Sequence, residues 1–264
     1  MLIDKPAGMS SFGVVVRVRR VLSEKAGKKV KVGHTGTLDP FATGLLILLV
    51  GKGTKRSEEF LKLDKKYEAT IRLGEVSSTG DVEGEIRSYK EARNSLFRET
   101  PLASGTSYAG QPAEPSPSET NLSVSSGIYV AAAKGEKSLS EKTIPSLTSI
   151  NAALEKFRGE IVQRVPRYSA VKINGQRAYK LAREGKEVEM PTRKVKIYDL
   201  EVLEYKWPEL KISCHVSSGT YIRTLGEDIG EELGVGGYLT ELRRTEVGGY
   251  KVQDAKRLEE LGVV

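Results

Sequence analysis

Three glycines punctuate the run Gly33-His34-Thr35-Gly36-Thr37-Leu38-Asp39-Pro40-Phe41-Ala42-Thr43-Gly44, which leads straight into Leu45-Leu46-Ile47-Leu48-Leu49-Val50. The apolar run has strand length and predicts a buried strand. Glycine lets the backbone turn and approach a partner closely, and Pro40 disfavours helical geometry at Asp39. One carboxylate is therefore expected on an extended or turning loop pinned at its end to the core. Taken alone, Asp, Gly and Pro are also ordinary turn residues, and an aspartate here could simply bond its own backbone.

The rest of the chain narrows the setting. At 264 residues and 38% hydrophobic, it can bury one sizeable core or two small ones. No apolar run approaches the ~20 residues of a membrane span. The first residues lack a basic segment leading into an apolar one, so no signal peptide is expected. A single cysteine, Cys214, excludes an internal disulfide, and with only two histidines it argues against a Cys/His zinc site. A reducing cytoplasm is the expected compartment. A net charge of +7 and a pI near 9.3 favour a polyanionic partner without identifying it.

Along the chain, Leu2-Ile3 reads as a short strand. Ser10 or Ser11 can cap a helix over about 12–25, with Phe12, Val15, Val18 and Leu22 on its apolar face and Gly27 as its stop. Tyr67, Ala69, Ile71 and Leu73 alternate as on a half-buried strand. Residues 94–143 differ in kind: proline- and serine-rich, with little periodicity and a net charge of −1. They predict a disordered insertion between two halves, 1–93 and 144–264, of one domain. Beyond it, Ile150, Leu154 and Phe157 share a helix face that Gly159 ends. Gln176 to Arg183 reads as a short helix. Val195 to Val202 reads as one strand or two, and Leu210 to Val216 as another. A helix over about 221–233 and a last strand from Tyr238 to Val247 follow. Strands interleaved with helices indicate an α/β or α+β domain.

Gly33 to Pro40 resembles the signature of the TruB family of tRNA pseudouridine synthases. Further stretches resemble that family in the same order: Asp4 to Ser11, Lys66-Tyr67-Glu68-Ala69, Tyr168-Ser169-Ala170-Val171-Lys172, Gly219-Thr220-Tyr221-Ile222-Arg223 and Leu242-Arg243-Arg244. Thr79, Asp81 and Gly84 fit another family pattern, in which Ser77 stands where a threonine is usual. The resemblance implies an α+β pseudouridine synthase fold, with a central mixed, largely antiparallel sheet flanked by helices. It also implies uridine-to-pseudouridine isomerisation in the T-arm loop of tRNA, at the position conventionally numbered 55. Asp39 is then the catalytic residue, Arg223 its orienting partner, and Tyr67 the ring packed on the target base. Leu242 lines the base pocket, His34 fills the gap left by the flipped nucleotide, and Tyr221 belongs to the substrate side. Lys5 braces the catalytic loop or touches phosphate.

The chemistry fits one carboxylate. Pseudouridine formation breaks the bond from ribose C1′ to N1 of uracil and joins C5 to the same carbon. No atoms or electrons enter or leave, so no cofactor or metal is expected. No phosphate-cradling glycine loop or clustered metal motif is present in the sequence. A glycosidase would want a second acid, and none shares the motif. Asp39 could attack C1′ or take a ribose proton. A monomer acting on the tRNA T-arm without an obligatory protein partner is expected, and no separate C-terminal RNA-binding domain. The alternatives are a non-catalytic tRNA-folding chaperone and a guide-RNA-dependent synthase.

Overall fold

The computed structural model describes residues 1–98, 144–186 and 188–262. From the N-terminus the elements are β1 (Leu2–Lys5), α1 (Ser11–Ala26), β2 (Val32–His34), β3 (Thr43–Val50), α2 (Ser57–Leu61), β4 (Lys65–Leu73), β5 (Glu75–Ser77), β6 (Ile86–Ser88) and α3 (Tyr89–Arg98). The chain is described again from α4 (Leu147–Glu155) through β7 (Gly159–Arg164), β8 (Lys172–Ile173), β9 (Gln176–Arg177) and α5 (Ala178–Arg183). Then come β10 (Thr192–Lys206), β11 (Glu209–Val216), α6 (Ile222–Glu232), β12 (Gly237–Val247) and β13 (Tyr250–Lys251). The expected insertion boundary at residue 94 falls inside α3, which continues to Arg98; residues 99–143 lie outside the described residues.

One mixed sheet organises the molecule, in the order β1-β3-β12-β4-β11-β10-β7, with β2 on β3 and β13 on β12. All its pairings are antiparallel except β12 with β3. That parallel contact, Arg243↔Thr43 and Arg244↔Gly44, welds the end of the chain to the exit of the glycine loop. Gly44 has φ +101°, and a Cβ there would collide with the Arg244 backbone, so only glycine allows the two strands to meet. The apolar run after it is the predicted buried strand. Leu45, Leu46 and Leu48 are wholly inaccessible, each worth about 1.5–3 kcal/mol of burial.

Tyr67, Ala69, Ile71 and Leu73 point into the main core from β4, as their alternation predicts, where Leu225 and Ile229 of α6 cover them. Cys214 is buried in the same core. Several local expectations are corrected. Ser10, not Ser11, caps α1 by accepting from Gly13 N at 3.0 Å. Ser11 instead turns inward with Val14, Val15 and Val18, because its hydroxyl is needed by Leu38. That rotation leaves Phe12, expected inside, 64% exposed. Helix α4 ends at Lys156, and Gly159 opens β7 rather than closing the helix. Gln176 and Arg177 form β9, so the short helix starts only at Ala178. Val195 to Val202 is one strand whose register shifts between Ile197 and Asp199, which is why the apolar alternation breaks there.

Candidate active site

The loop between β2 and β3 is fastened on both sides of Asp39. Leu38 and Ala42 are buried in the main core beside Tyr67 and Leu242. The Ser11 hydroxyl accepts from Leu38 N at 2.8 Å and donates to Leu38 O at 2.9 Å. Behind Pro40 lies Lys5, fully buried, whose Nζ donates to the carbonyls of Pro6 (2.9 Å), Met9 (2.6 Å) and Pro40 (3.1 Å). Lys5 thus cross-ties the β1–α1 turn to the Asp39 loop. Of the two expectations for Lys5, these three carbonyl bonds and its burial favour bracing of the loop over contact with phosphate. Burial lowers its pKa to about 8, with Asp39 pulling the other way.

Arg223, in the first turn of α6, reaches Asp39 from the opposite side. Its Nε lies 3.0 Å from Asp39 Oδ2, and its side chain is only 5% exposed. Nη1 lies 3.3 Å from Asp81 Oδ2 and donates to Thr79 O at 2.8 Å; Nη2 donates to Tyr168 O at 2.8 Å. The helix dipole disfavours a cation at this end, and two carboxylates offset that. One guanidinium shared between two acids does not fully compensate their burial. The Asp39 carboxyl is accordingly raised above the usual range by burial, against the pull of Arg223 and with Asp81 adding to the rise. Asp81 itself is buried, accepting from Thr79 Oγ1 at 2.6 Å and Glu83 N at 3.0 Å. Ser77, the departure from the family pattern, still donates its hydroxyl to Asp81 O at 2.6 Å. No second acid shares the Asp39 motif in the sequence; the fold brings in Asp81 from the Thr79–Gly84 stretch, as a partner of Arg223 rather than a free acid.

Tyr67 and Leu242 are 8% and 7% exposed and pack in the cluster that also holds Leu38 and Ala42. Burial pushes the Tyr67 phenol up, and Arg244 pulls it down. Arg244, paired with Tyr67 across β12 and β4, is 2% exposed. It donates from Nε to Leu45 O at 2.8 Å and from Nη2 to Gly36 O at 3.1 Å, so it binds both ends of the Asp39 loop. Its place in the Leu242-Arg243-Arg244 stretch was the signal for it, but not its task. His34 is half-buried on β2, with an Nδ1 that makes no hydrogen bond; burial and then Arg244 lower its pKa, keeping the ring neutral. Tyr221 stands at the N-cap of α6, two residues before Arg223, against Val165, Ala178 and Met190. Among the described residues no group of three His, Cys, Asp or Glu could hold a metal ion, and no helix is long and apolar enough to cross a membrane.

Residues 19–142 and 122–222 match the family model described as TruB family pseudouridylate synthase (N terminal domain). Residues 223–263 match the model described as tRNA pseudouridylate synthase B C-terminal domain. The two matches meet between Ile222 and Arg223, in the first turn of α6. A curated tRNA pseudouridine synthase B from Francisella tularensis subsp. tularensis is 40% identical over 263 residues, covering 99% of this chain and 68% of its own length. Another, from Corynebacterium jeikeium, is 36% identical over 267 residues, covering 99% and 70%. Among solved structures, a chain of a Cbf5-Nop10-Gar1 complex superposes with a TM-score of 0.60 at 26% identity, over 98% of this chain and 52% of that one. This chain thus spans about half the length of that solved protein. An H/ACA ribonucleoprotein bound to a substrate RNA, at 24% identity and a TM-score of 0.57, shares the fold. With these matches across nearly all of its length, the chain belongs to the TruB family of pseudouridylate synthases.

Proposed function

We propose that this protein isomerises uridine to pseudouridine in the T-arm loop of tRNA, at position 55, with Asp39 as the catalytic group and no cofactor. The observation that carries the reading is the Arg223–Asp39 pair, at 3.0 Å, beside the Tyr67 and Leu242 wall. The catalytic unit comprises the two halves on either side of the insertion, the first extended through α3 to Arg98 and the second beginning at 144, and it works in the cytoplasm as a monomer without a partner protein.

Each residue then has a defined task. The target uracil must leave its stack before a carboxylate can reach C1′. Half-buried and uncharged, His34 occupies the gap the nucleotide leaves. Tyr67 packs on the extruded base, with Leu242 against its edge, and Tyr221 bounds the pocket from α6. Arg223 holds Asp39 in one orientation and favours its ionised form. From there the carboxylate either bonds to C1′ or removes a ribose proton; both routes begin with the anion.

The test is incubation of purified protein with unmodified tRNA and no additions, followed by mapping of pseudouridine. Modification confined to the T-arm loop, undiminished by EDTA, is expected. Binding without turnover would replace this reading with a tRNA chaperone. An isolated T-arm hairpin should also be modified, since RNA sequence is read mostly on loops with splayed bases. A hairpin kcat/KM more than about 10²-fold below that of whole tRNA, ~2.7 kcal/mol, would place essential contacts elsewhere.

A further inference from the structure

Tyr221 is gripped by two residues that the chemistry above does not use. Gln163, on β7, is completely buried and spends its whole amide on one residue 58 positions away. Its Oε1 accepts from Tyr221 N at 2.8 Å, and its Nε2 donates to Tyr221 O at 3.0 Å. Such a two-bond pairing is what a neighbouring strand would offer, here made by a side chain. Tyr221 has no side-chain cap of its own, and its carbonyl also accepts from Leu225 N at 3.1 Å, so the amide anchors the first turn of α6. Arg223 lies in that turn.

Arg193, near the start of β10, holds the other end of the residue. The centre of its guanidinium lies 5.0 Å from the centroid of the Tyr221 ring, and Nη1 donates to Gly219 O at 3.1 Å. Gly219 has φ +86°, and a Cβ there would come within 2.9 Å of that Nη1. No carboxylate lies within ion-pair distance of Arg193 among the described residues. Its cation is therefore committed to a ring face and a carbonyl, a geometry a planar guanidinium suits and an ammonium does not.

We propose that Gln163 and Arg193 are positioning residues of the active site. Gln163 sets the first turn of α6, and through it the approach of Arg223 to Asp39. Arg193 fixes the plane of the Tyr221 ring against which the nucleotide is bound. The proposal rests on the reading of the site as a pseudouridine synthase, and the two arms divide by kinetic constant. Gln163→Leu should lower kcat about 10- to 10²-fold, as a displaced catalytic group does, with KM near wild type. Arg193→Ala should raise KM for RNA several-fold with little change in kcat. Arg193→Lys should behave like Arg193→Ala; wild-type behaviour would mean that charge alone matters and would overturn that arm.

Two further measurements separate positioning from mere structural support. If Gln163 acts through Arg223, the effects of Gln163→Leu and Arg223→Lys on kcat are strongly non-additive; additivity overturns the proposal. The second is a carboxyl-carbon NMR titration of Asp39 in the free protein, whose charged neighbours are Arg223, Asp81, Lys5 and Glu83. Gln163→Leu should move the Asp39 midpoint further up as the pull of Arg223 weakens, and Arg193→Ala should not. An unchanged midpoint in folded Gln163→Leu overturns the proposal. Should Gln163→Leu fail to fold, Gln163→Met, uncharged and of similar length, also removes both hydrogen bonds to Tyr221 and is read the same way. This titration needs no turnover, so it stands apart from the functional reading, which fails instead if the wild-type protein forms no pseudouridine in tRNA.

Discussion

Two buried arginines flank the Asp39 loop, and they differ in what they hold. Arg223 comes from α6 and meets two carboxylates, Asp39 at 3.0 Å and Asp81 at 3.3 Å, besides the carbonyls of Thr79 and Tyr168. Arg244 comes from β12 and meets backbone, Leu45 O at 2.8 Å and Gly36 O at 3.1 Å, with no carboxylate at ion-pair distance among the described residues. The same side chain, equally buried, does two jobs. Opposite a carboxylate, its flat fork orients a reacting group. Opposite carbonyls, it replaces the hydrogen bonds that a loop cannot make with itself. Burial alone therefore says little about the role of a charged residue; the partner decides.

The sharpest break in that comparison is at Asp39 itself. Asp39→Asn should lower turnover by about 10²–10⁴-fold, the range for a positioned acid–base group, while RNA affinity stays close to wild type. Single-turnover rates check this, and substantial residual activity would move catalysis to another group. Next come the arginines. Arg223→Lys should cost about 10²-fold in turnover, a larger share than its loss of stability, which comes from the Thr79 and Tyr168 carbonyls left short of a donor. Arg244→Met should do the opposite first: unfolding in urea should reveal about 1–3 kcal/mol for each carbonyl left unpaired. If both variants lose activity and stability in the same proportion, the division of labour is wrong.

A smaller effect is expected from pH. In the proposed reaction Asp39 acts as the anion, and its carboxyl is raised, so turnover should fall on acidification well before the ~3.9 of an ordinary aspartate. A pre-steady-state pH profile with its acid limb at or below that value would contradict the burial argument. The smallest expected effect concerns stability. Glu227, pushed up to about 7, and Asp228, pushed up to about 6, both by burial, lie on the α6 side of Arg223. A carboxyl raised in the folded state binds more protons there than when unfolded, so stability falls as pH rises through that window. Moving from pH 8 to pH 6 should therefore add about 1 kcal/mol, discounted for partial exposure. Glu227→Gln should flatten the trend; an unchanged slope of melting temperature against pH would remove Glu227 as its source.

Much of the fold was legible because it is local or periodic. The Leu45–Val50 run could only be a buried strand, the Tyr67–Leu73 alternation could only face one core, and Gly27 stops α1 in the left-handed conformation that its φ of 61° records. Asp39 was legible as a candidate through the resemblance of Gly33 to Pro40, and of the motifs that follow in order, to the TruB family; the glycines, proline and acid alone fitted an ordinary turn equally well. Phe12 misled because helical spacing shows which residues share a face, not which face turns inward.

What the tertiary structure decided is the fate of every buried polar group. Lys5 could have met phosphate or backbone, and three carbonyls from two segments favour backbone. Asp81 became a second acid at Arg223, Arg244 a loop brace, and Gln163 a clamp on Tyr221, each through a partner 58 to 208 positions away. Apolar residues declare their place by pattern, since burial rewards any apolar neighbour. A buried polar atom needs one particular partner at hydrogen-bond distance, and only the folded chain brings that partner near.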